Sequence, residues 1–320
     1  MHELDVWMNT DPRIADKTWW YKKEIHVNTL LKRKWNSSSL EDFRQSARQD
    51  LVPPVLSAPG YVQYMSDVEK RSSIEAYETG TTNYAPDSFQ YYLNRFGFRG
   101  HNEPGMEVDG LSMGFFGCSF TFGIGLPEEK HFVSMFGKHF NLNTFNFGCP
   151  GGGIGKTARL FSQISKFQKL DYAIFVLPHI QRLEYVVPSG MPNDKFRLTS
   201  LILNYTHVDP FEEAVRRNVK EILSDEYLLY DATESIMFID TVAKLHNIKV
   251  FYTSWDMPTM NLILSLFDGE PDKILPWFQF REYKDTSEFK RGRDGVHPGD
   301  ESSRLFVERC IPHLEKHINA

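Results

Sequence analysis

The sequence predicts an α/β protein built on a parallel sheet, and three observations carry that expectation. From residue 106 onward, short apolar runs alternate with helical stretches, the pattern of βαβ units whose sheet is covered on both faces. Before residue 106 the chain has little sustained periodicity and is rich in aromatic and turn residues, as in Trp19-Trp20-Tyr21, Pro53-Pro54 and Thr81-Thr82-Asn83-Tyr84-Ala85-Pro86. The chain has 320 residues, 41% of them hydrophobic and 24% charged, which fits one large folded domain with a sizeable extension. Residues 1–105 are therefore read as an N-terminal extension packed on the main domain, and 106–320 as that domain.

The elements follow in order. Residues 112–117 form the first strand candidate and end on a glycine. A helix is expected over 128–140, with Pro127 at its start, where the missing N–H costs nothing. Residues 144–147 make the second strand, 155–169 a helix and 172–177 the third strand. Two helices, 210–230 and 233–245, lead to a strand at 248–254. A weaker strand candidate lies around 274–280. The last helix, 301–317, contains Pro312, which predicts a kink or an early stop.

Composition narrows the function. The net charge of -6 argues against a protein held to nucleic acid by a broad basic surface. No apolar run approaches the ~20 residues of a membrane helix. The start, Met1-His2-Glu3-Leu4-Asp5, lacks the basic and apolar pattern of a secretory signal. Cys118, Cys149 and Cys310 are too scattered for a disulfide framework or a zinc site. The expectation is a cytoplasmic protein with no metal and no cofactor; oligomeric state is left open.

Three segments carry chemistry. Ser119, in Gly117-Cys118-Ser119-Phe120-Thr121, lies at the carboxyl end of the first strand, the sheet edge where ligands bind; taken alone it reads as a helix or turn cap, as most strand-end serines do. In Arg293-Asp294-Gly295-Val296-His297-Pro298, an acid three residues before a histidine in a tight loop can hold the imidazole in the tautomer a serine base needs; a solvated surface turn fits the same spacing. Glycines in Asn146-Phe147-Gly148-Cys149-Pro150-Gly151 free a backbone N–H to face an oxyanion.

Taken together, the three segments resemble the blocks of the SGNH (GDSL-like) hydrolase superfamily over residues 110 to 318: the nucleophile block at Ser119, the glycine block at Asn146-x-Gly148-x-x-Gly151, and the final block at Asp294-x-x-His297-Pro298. The resemblance implies a flavodoxin-like three-layer α/β/α domain that hydrolyses a small-molecule or carbohydrate ester. It implies Ser119 as nucleophile and oxyanion donor, Gly151 as second donor, His297 as base and Asp294 as its orienter. Asn94-x-Phe96-Gly97-Phe98-Arg99-Gly100 resembles a segment that precedes the nucleophile block in some members, without a catalytic role. Two departures stand out. Cys118 replaces the usual aspartate before the serine, and Leu177-Pro178-His179-Ile180-Gln181-Arg182 replaces the block that normally supplies an oxyanion-holding asparagine, which leaves His179 or Gln181 to donate there.

Competing readings rest on particular residues. Pro150-Gly151-Gly152-Gly153-Ile154-Gly155-Lys156-Thr157 is close to a phosphate-binding loop, but a proline stands where its first glycine belongs. Cys118 and Cys149, at adjacent strand ends, could serve a thiol mechanism. A domain of this type without its asparagine could also be an inactive carbohydrate-binding or structural module, with the aromatic extension as contact surface.

Overall fold

The computed structural model describes residues 60–318, apart from 192–193, 204–215, 218, 220–222 and 279–289. Trp19, Trp20, Tyr21 and the rest of residues 1–59 lie outside the described residues. The fold is α/β. Its centre is a four-stranded parallel sheet of β3 (Ser112–Gly117), β4 (Asn143–Gly148), β5 (Tyr172–Leu177) and β8 (Lys249–Ser254), in the order β4-β3-β5-β8. The first of these strands in the chain is thus flanked by the second and the third. The connection after β3 runs to one side of the sheet and the connections after β4 and β5 run to the other, opening a crevice at the carboxyl ends of the strands.

Strand geometry sends successive side chains to opposite faces, and both faces of this sheet are covered. Phe115 points to one side, with ring centroids 5.6 Å from Phe136 of α3 (Phe132–Phe140) and 6.1 Å from Phe132. On that side α7 (Asp300–Ile318) adds Phe306, Cys310 and Leu314 to the core. Phe116 points the other way, 5.1 Å from Phe161 of α4 (Ile154–Ile164) and 5.1 Å from Phe175. Tyr252 and Phe267 extend this second layer, their rings 4.7 Å apart. At about 1.5–3 kcal/mol per buried large apolar side chain, these two phenylalanine-rich layers are the main source of stability.

Several expected boundaries move. The helix foreseen over 128–140 divides into a short 3-10 turn, Glu128–Lys130, and α3, because His131 between them is extended. Residues 210–215 of the helix foreseen over 210–230 lie outside the described residues, and the boundary foreseen near 231 gives way to one continuous helix, α5 (Asp225–His246). Ser224 caps it by accepting from the Tyr227 N–H, and no glycine or proline interrupts it. Residues 274–278 form no strand; a single bridge joins Ile274 to Tyr252. Helix α7 runs on through Pro312 without stopping. A hairpin, β6 (Arg182–Met191) with β7 (Asp194–Ile202), was not expected, since Pro188 and Gly190 argue against a strand. Among the described residues no helix is long and apolar enough to cross a membrane.

Ahead of the sheet, β1 (Gly60–Val62) pairs antiparallel with β2 (Tyr91–Leu93), and α1 (Asp67–Glu78) lies between them in the chain. Helix α2 (Ser119–Phe122) is a single turn set directly on the end of β3, and α6 (Met257–Leu266) follows β8.

Candidate active site

Ser119 opens α2, one residue beyond β3, so its hydroxyl sits at the crevice where the sheet order reverses. The turn is tight enough that Gly117 cannot carry a side chain: a Cβ there would collide with Thr121 Oγ1 and the Val176 carbonyl. Ser119 is the first residue of α2, so its N–H has no carbonyl one turn back to receive it.

The loop before α7 brings the other two residues to this serine. His297 Nε2 is 2.8 Å from Ser119 Oγ, and His297 Nδ1 is 2.6 Å from Asp294 Oδ2. Asp294 Oδ1 accepts from the backbone N–H of Val296 at 3.2 Å and of His297 at 3.1 Å. Burial alone would raise the Asp294 carboxyl; the facing His297 charge and these hydrogen bonds outweigh it and hold the pKa below that of a free aspartate. Asp294 is therefore a carboxylate at neutral pH, accepting the Nδ1 proton and leaving Nε2 to accept from Ser119. The arrangement can remove a proton from Ser119 Oγ as it attacks.

A ring of buried contacts fixes that loop, and its members come from the N-terminal side of the chain. The Arg293 N–H donates to the Gly125 carbonyl at 2.7 Å, and the Gly125 N–H donates to Tyr91 Oη at 2.7 Å. Tyr91 donates to Glu69 Oε1 at 2.6 Å, and the Arg293 guanidinium closes the ring on the same oxygen at 2.8 Å. The rest of the guanidinium donates to the carbonyls of Gln63, Pro86 and Phe89. Arg293 is 0% exposed and Glu69 5%. One ring thus ties residues 63–91, the loop after α2 and the Asp294/His297 loop together.

Arg99 does the equivalent for the turn that carries Ser119. Its guanidinium donates to the carbonyls of Phe122 at 3.1 Å, Gly123 at 2.5 Å and Leu126 at 2.6 Å. Those acceptors are the carboxyl end of α2 and the loop after it, where a cation is favoured. Behind α2, His131 faces the Phe120 carbonyl at 3.1 Å. Burial first, then the Arg99 charge, push the His131 pKa down to about 3 against the pull of that carbonyl. It is therefore neutral, with its Nε2 proton on Phe120.

The expected oxyanion donors are less uniform. Gly151 has φ +76 and open space around its Cα, so its turn is one that glycine adopts without strain. The Gln181 N–H donates to His179 Nδ1 at 3.0 Å, and His179 Nε2 lies 3.5 Å from Asp256. Beside Ser119, Phe120 stacks on Trp255 at 4.6 Å and meets His297 edge-on at 5.4 Å, giving the crevice an aromatic wall.

The competing chemistries fare worse at their own residues. Thr157 is buried and its hydroxyl donates to the Gly153 carbonyl one turn back, so it is spent within α4 instead of facing a phosphate. Burial pushes the Cys149 thiol up, against the opposing charge of Lys156, and a protonated thiol is no nucleophile. No group of three or more His, Cys, Asp or Glu that could hold a metal occurs among the described residues.

Sequence reasoning missed Glu69, Tyr91, Arg99 and Arg293 as supports of the site. Arg99 and Arg293 each stand inside a quoted motif, but nothing in a single sequence distinguishes a buried guanidinium from a solvated one.

No protein-family model and no curated protein matches this chain. Among solved structures it is similar to TesA, at 10% identity over 64% of this chain and 98% of the other, with a TM-score of 0.41. It is similar to the psychrotrophic esterase EstA from Pseudoalteromonas sp., at 10% identity over 65% and 99%, with a TM-score of 0.42. A protein assigned to the G-D-S-L lipolytic family from Desulfitobacterium hafniense matches at 14% identity over 64% and 100%, with a TM-score of 0.40.

Proposed function

We propose that this chain is a serine esterase of the GDSL-like type that hydrolyses a small acyl ester, such as an acetyl group on a carbohydrate. The observation that carries the reading is the continuous line from Ser119 Oγ through the His297 ring to the Asp294 carboxylate, with both contacts within hydrogen-bond reach. Ser119 and the Asp294/His297 loop come from opposite ends of the domain, and the buried ring through Glu69, Tyr91 and Arg293 holds that loop in place.

The reaction runs in two steps. His297 takes the Ser119 proton as Oγ attacks the ester carbonyl, and the new oxyanion rests on the backbone N–H groups of Ser119 and Gly151. His297 then protonates the leaving alcohol. Water, deprotonated by the same ring, attacks the acyl-enzyme and releases the acid. Asp294 stays ionised throughout and stabilises the imidazolium. No step calls for a cofactor. With Gln181's N–H turned to His179, the oxyanion has two backbone donors, and one donor fewer typically costs about 10²–10³ in rate.

Hydrolysis of a short-chain chromogenic ester tests the reading. Wild-type protein turns the ester over, and Ser119→Ala removes at least about 10³ of kcat. Wild-type activity that survives Ser119→Ala would overturn it.

A further inference from the structure

We infer that the turn after β4 receives an anionic group carried by the ester, a carboxylate or a phosphate, held by Arg182 and Lys156. The inference rests on the esterase reading and names the class of ester.

Topology puts this turn at the site. Because β3 lies between β4 and β5, any contact between the turn after β4 and the segment after β5 passes across the end of β3, where Ser119 sits. Arg182 makes that contact. Its Nη1 lies a long 3.5 Å from the Gly152 carbonyl, and its backbone carbonyl packs so closely on Gly153 that a Cβ there would collide with it. The guanidinium lies 5.4 Å over the Trp255 ring, which in turn stacks on Phe120, the neighbour of Ser119.

Arg182 is half-buried and poorly satisfied. Its Nε is buried without an acceptor, and among the described residues no carboxylate lies within ion-pair distance. Asp256, next to Trp255 in the chain, is instead turned to Thr259 and His179. Lys156 approaches the same turn from α4: its Cδ would lie 3.4 Å from a Gly152 Cβ, and its charge acts on the Cys149 thiol. It too has no acidic partner among the described residues. Two cations that converge on one glycine turn with no counter-ion among the described residues, one with part of its hydration already lost, form a receptor for an oxyanion-bearing group. The guanidinium can grip a carboxylate or phosphate edge-on, while Gly151, Gly152 and Gly153 of the turn add no side chain beside it.

The experiment compares 4-nitrophenyl acetate with 4-nitrophenyl hemisuccinate, which share a leaving group and differ in the carboxylate. The ratio of kcat/KM, hemisuccinate over acetate, is expected to fall about tenfold or more in Arg182→Gln and to recover in part in Arg182→Lys. A ratio unchanged by the substitution, or equal losses on both esters, would overturn the inference. Should Arg182→Gln fail to fold, Lys156→Gln carries the same test, with a fall of about threefold expected and an unchanged ratio refuting. Competition against the acetate ester by succinate and by inorganic phosphate distinguishes the two anion types; inhibition by neither refutes. If wild-type protein hydrolyses neither ester, the esterase reading has failed, and calorimetric titration with succinate and phosphate decides the inference alone. Binding weakened about tenfold in either variant upholds it, and absent or unaltered binding overturns it.

Discussion

Replacing Glu69 by Gln removes one charge from the ring that holds the Asp294/His297 loop, 50 residues before Ser119 in the chain. Glu69 accepts three hydrogen bonds: from the Met65 N–H at 2.7 Å on one oxygen, and from Tyr91 Oη at 2.6 Å and Arg293 at 2.8 Å on the other. A glutamine fits the space but presents an NH₂ to a donor whichever way it turns. It also leaves the Arg293 guanidinium, 0% exposed, without its counter-ion. Breaking a buried pair from one side costs about 3–5 kcal/mol, chiefly from the uncompensated charge. Urea denaturation should therefore show Glu69→Gln destabilised by about 3–5 kcal/mol, with kcat on a chromogenic ester falling more than KM rises, because the base loop loses its anchor while the crevice keeps its walls. The double variant Glu69→Leu/Arg293→Met should recover part of the stability, since no buried charge remains. A loss below about 1 kcal/mol with unaltered kcat, the range of an exposed ion pair, would refute the buried-ring argument.

Three further outcomes follow from the same geometry. Asp294→Asn should lower kcat by about 10³–10⁴ while leaving KM close to wild type, because the amide favours the wrong imidazole tautomer; steady-state kinetics check this, and a loss under about tenfold counts against the role. The folded chain refuses the proton that an unfolded His131 takes up near pH 6.5, so stability falls as the pH drops from 6.5 towards about 3, by about 2–3 kcal/mol at pH 4.5. Denaturation at pH 7 and 4.5 should show that slope in the wild type and its loss in His131→Gln. Gly148→Ala places a Cβ against the backbone of Phe122, so α2 must shift with Ser119; kcat should drop at least about 10²-fold, and a crystal structure of the variant should show the turn displaced.

The sequence by itself determined the strands of the central sheet and pointed to three candidate segments, for local reasons. Strands β3, β4, β5 and β8 are short apolar runs bounded by turn residues, and their position survives any packing of the helices around them. Ser119, Asp294 and His297 were legible because each sits in a tight, glycine-bounded segment whose spacing has chemical meaning. Boundaries such as the start of α5 behind Ser224 and the break at His131 were not. Neither was the β6–β7 hairpin, where Pro188 and Gly190 oppose the pairing that forms.

Only the tertiary structure decided how the three blocks meet and what supports them. The 178-residue separation of Ser119 and His297 is closed to 2.8 Å by the sheet order and the loop before α7, which no local propensity encodes. Whether an arginine is a solvated surface residue or a buried anchor is likewise a property of its surroundings. Arg99 and Arg293 become anchors because carbonyls from distant loops converge on them, whereas Arg182 has the Gly152 carbonyl at 3.5 Å and the Trp255 ring beneath its guanidinium. The side chains that fix Ser119 and His297 therefore include charged groups withdrawn from water, Glu69, Arg99 and Arg293, and their partners lie far away in sequence.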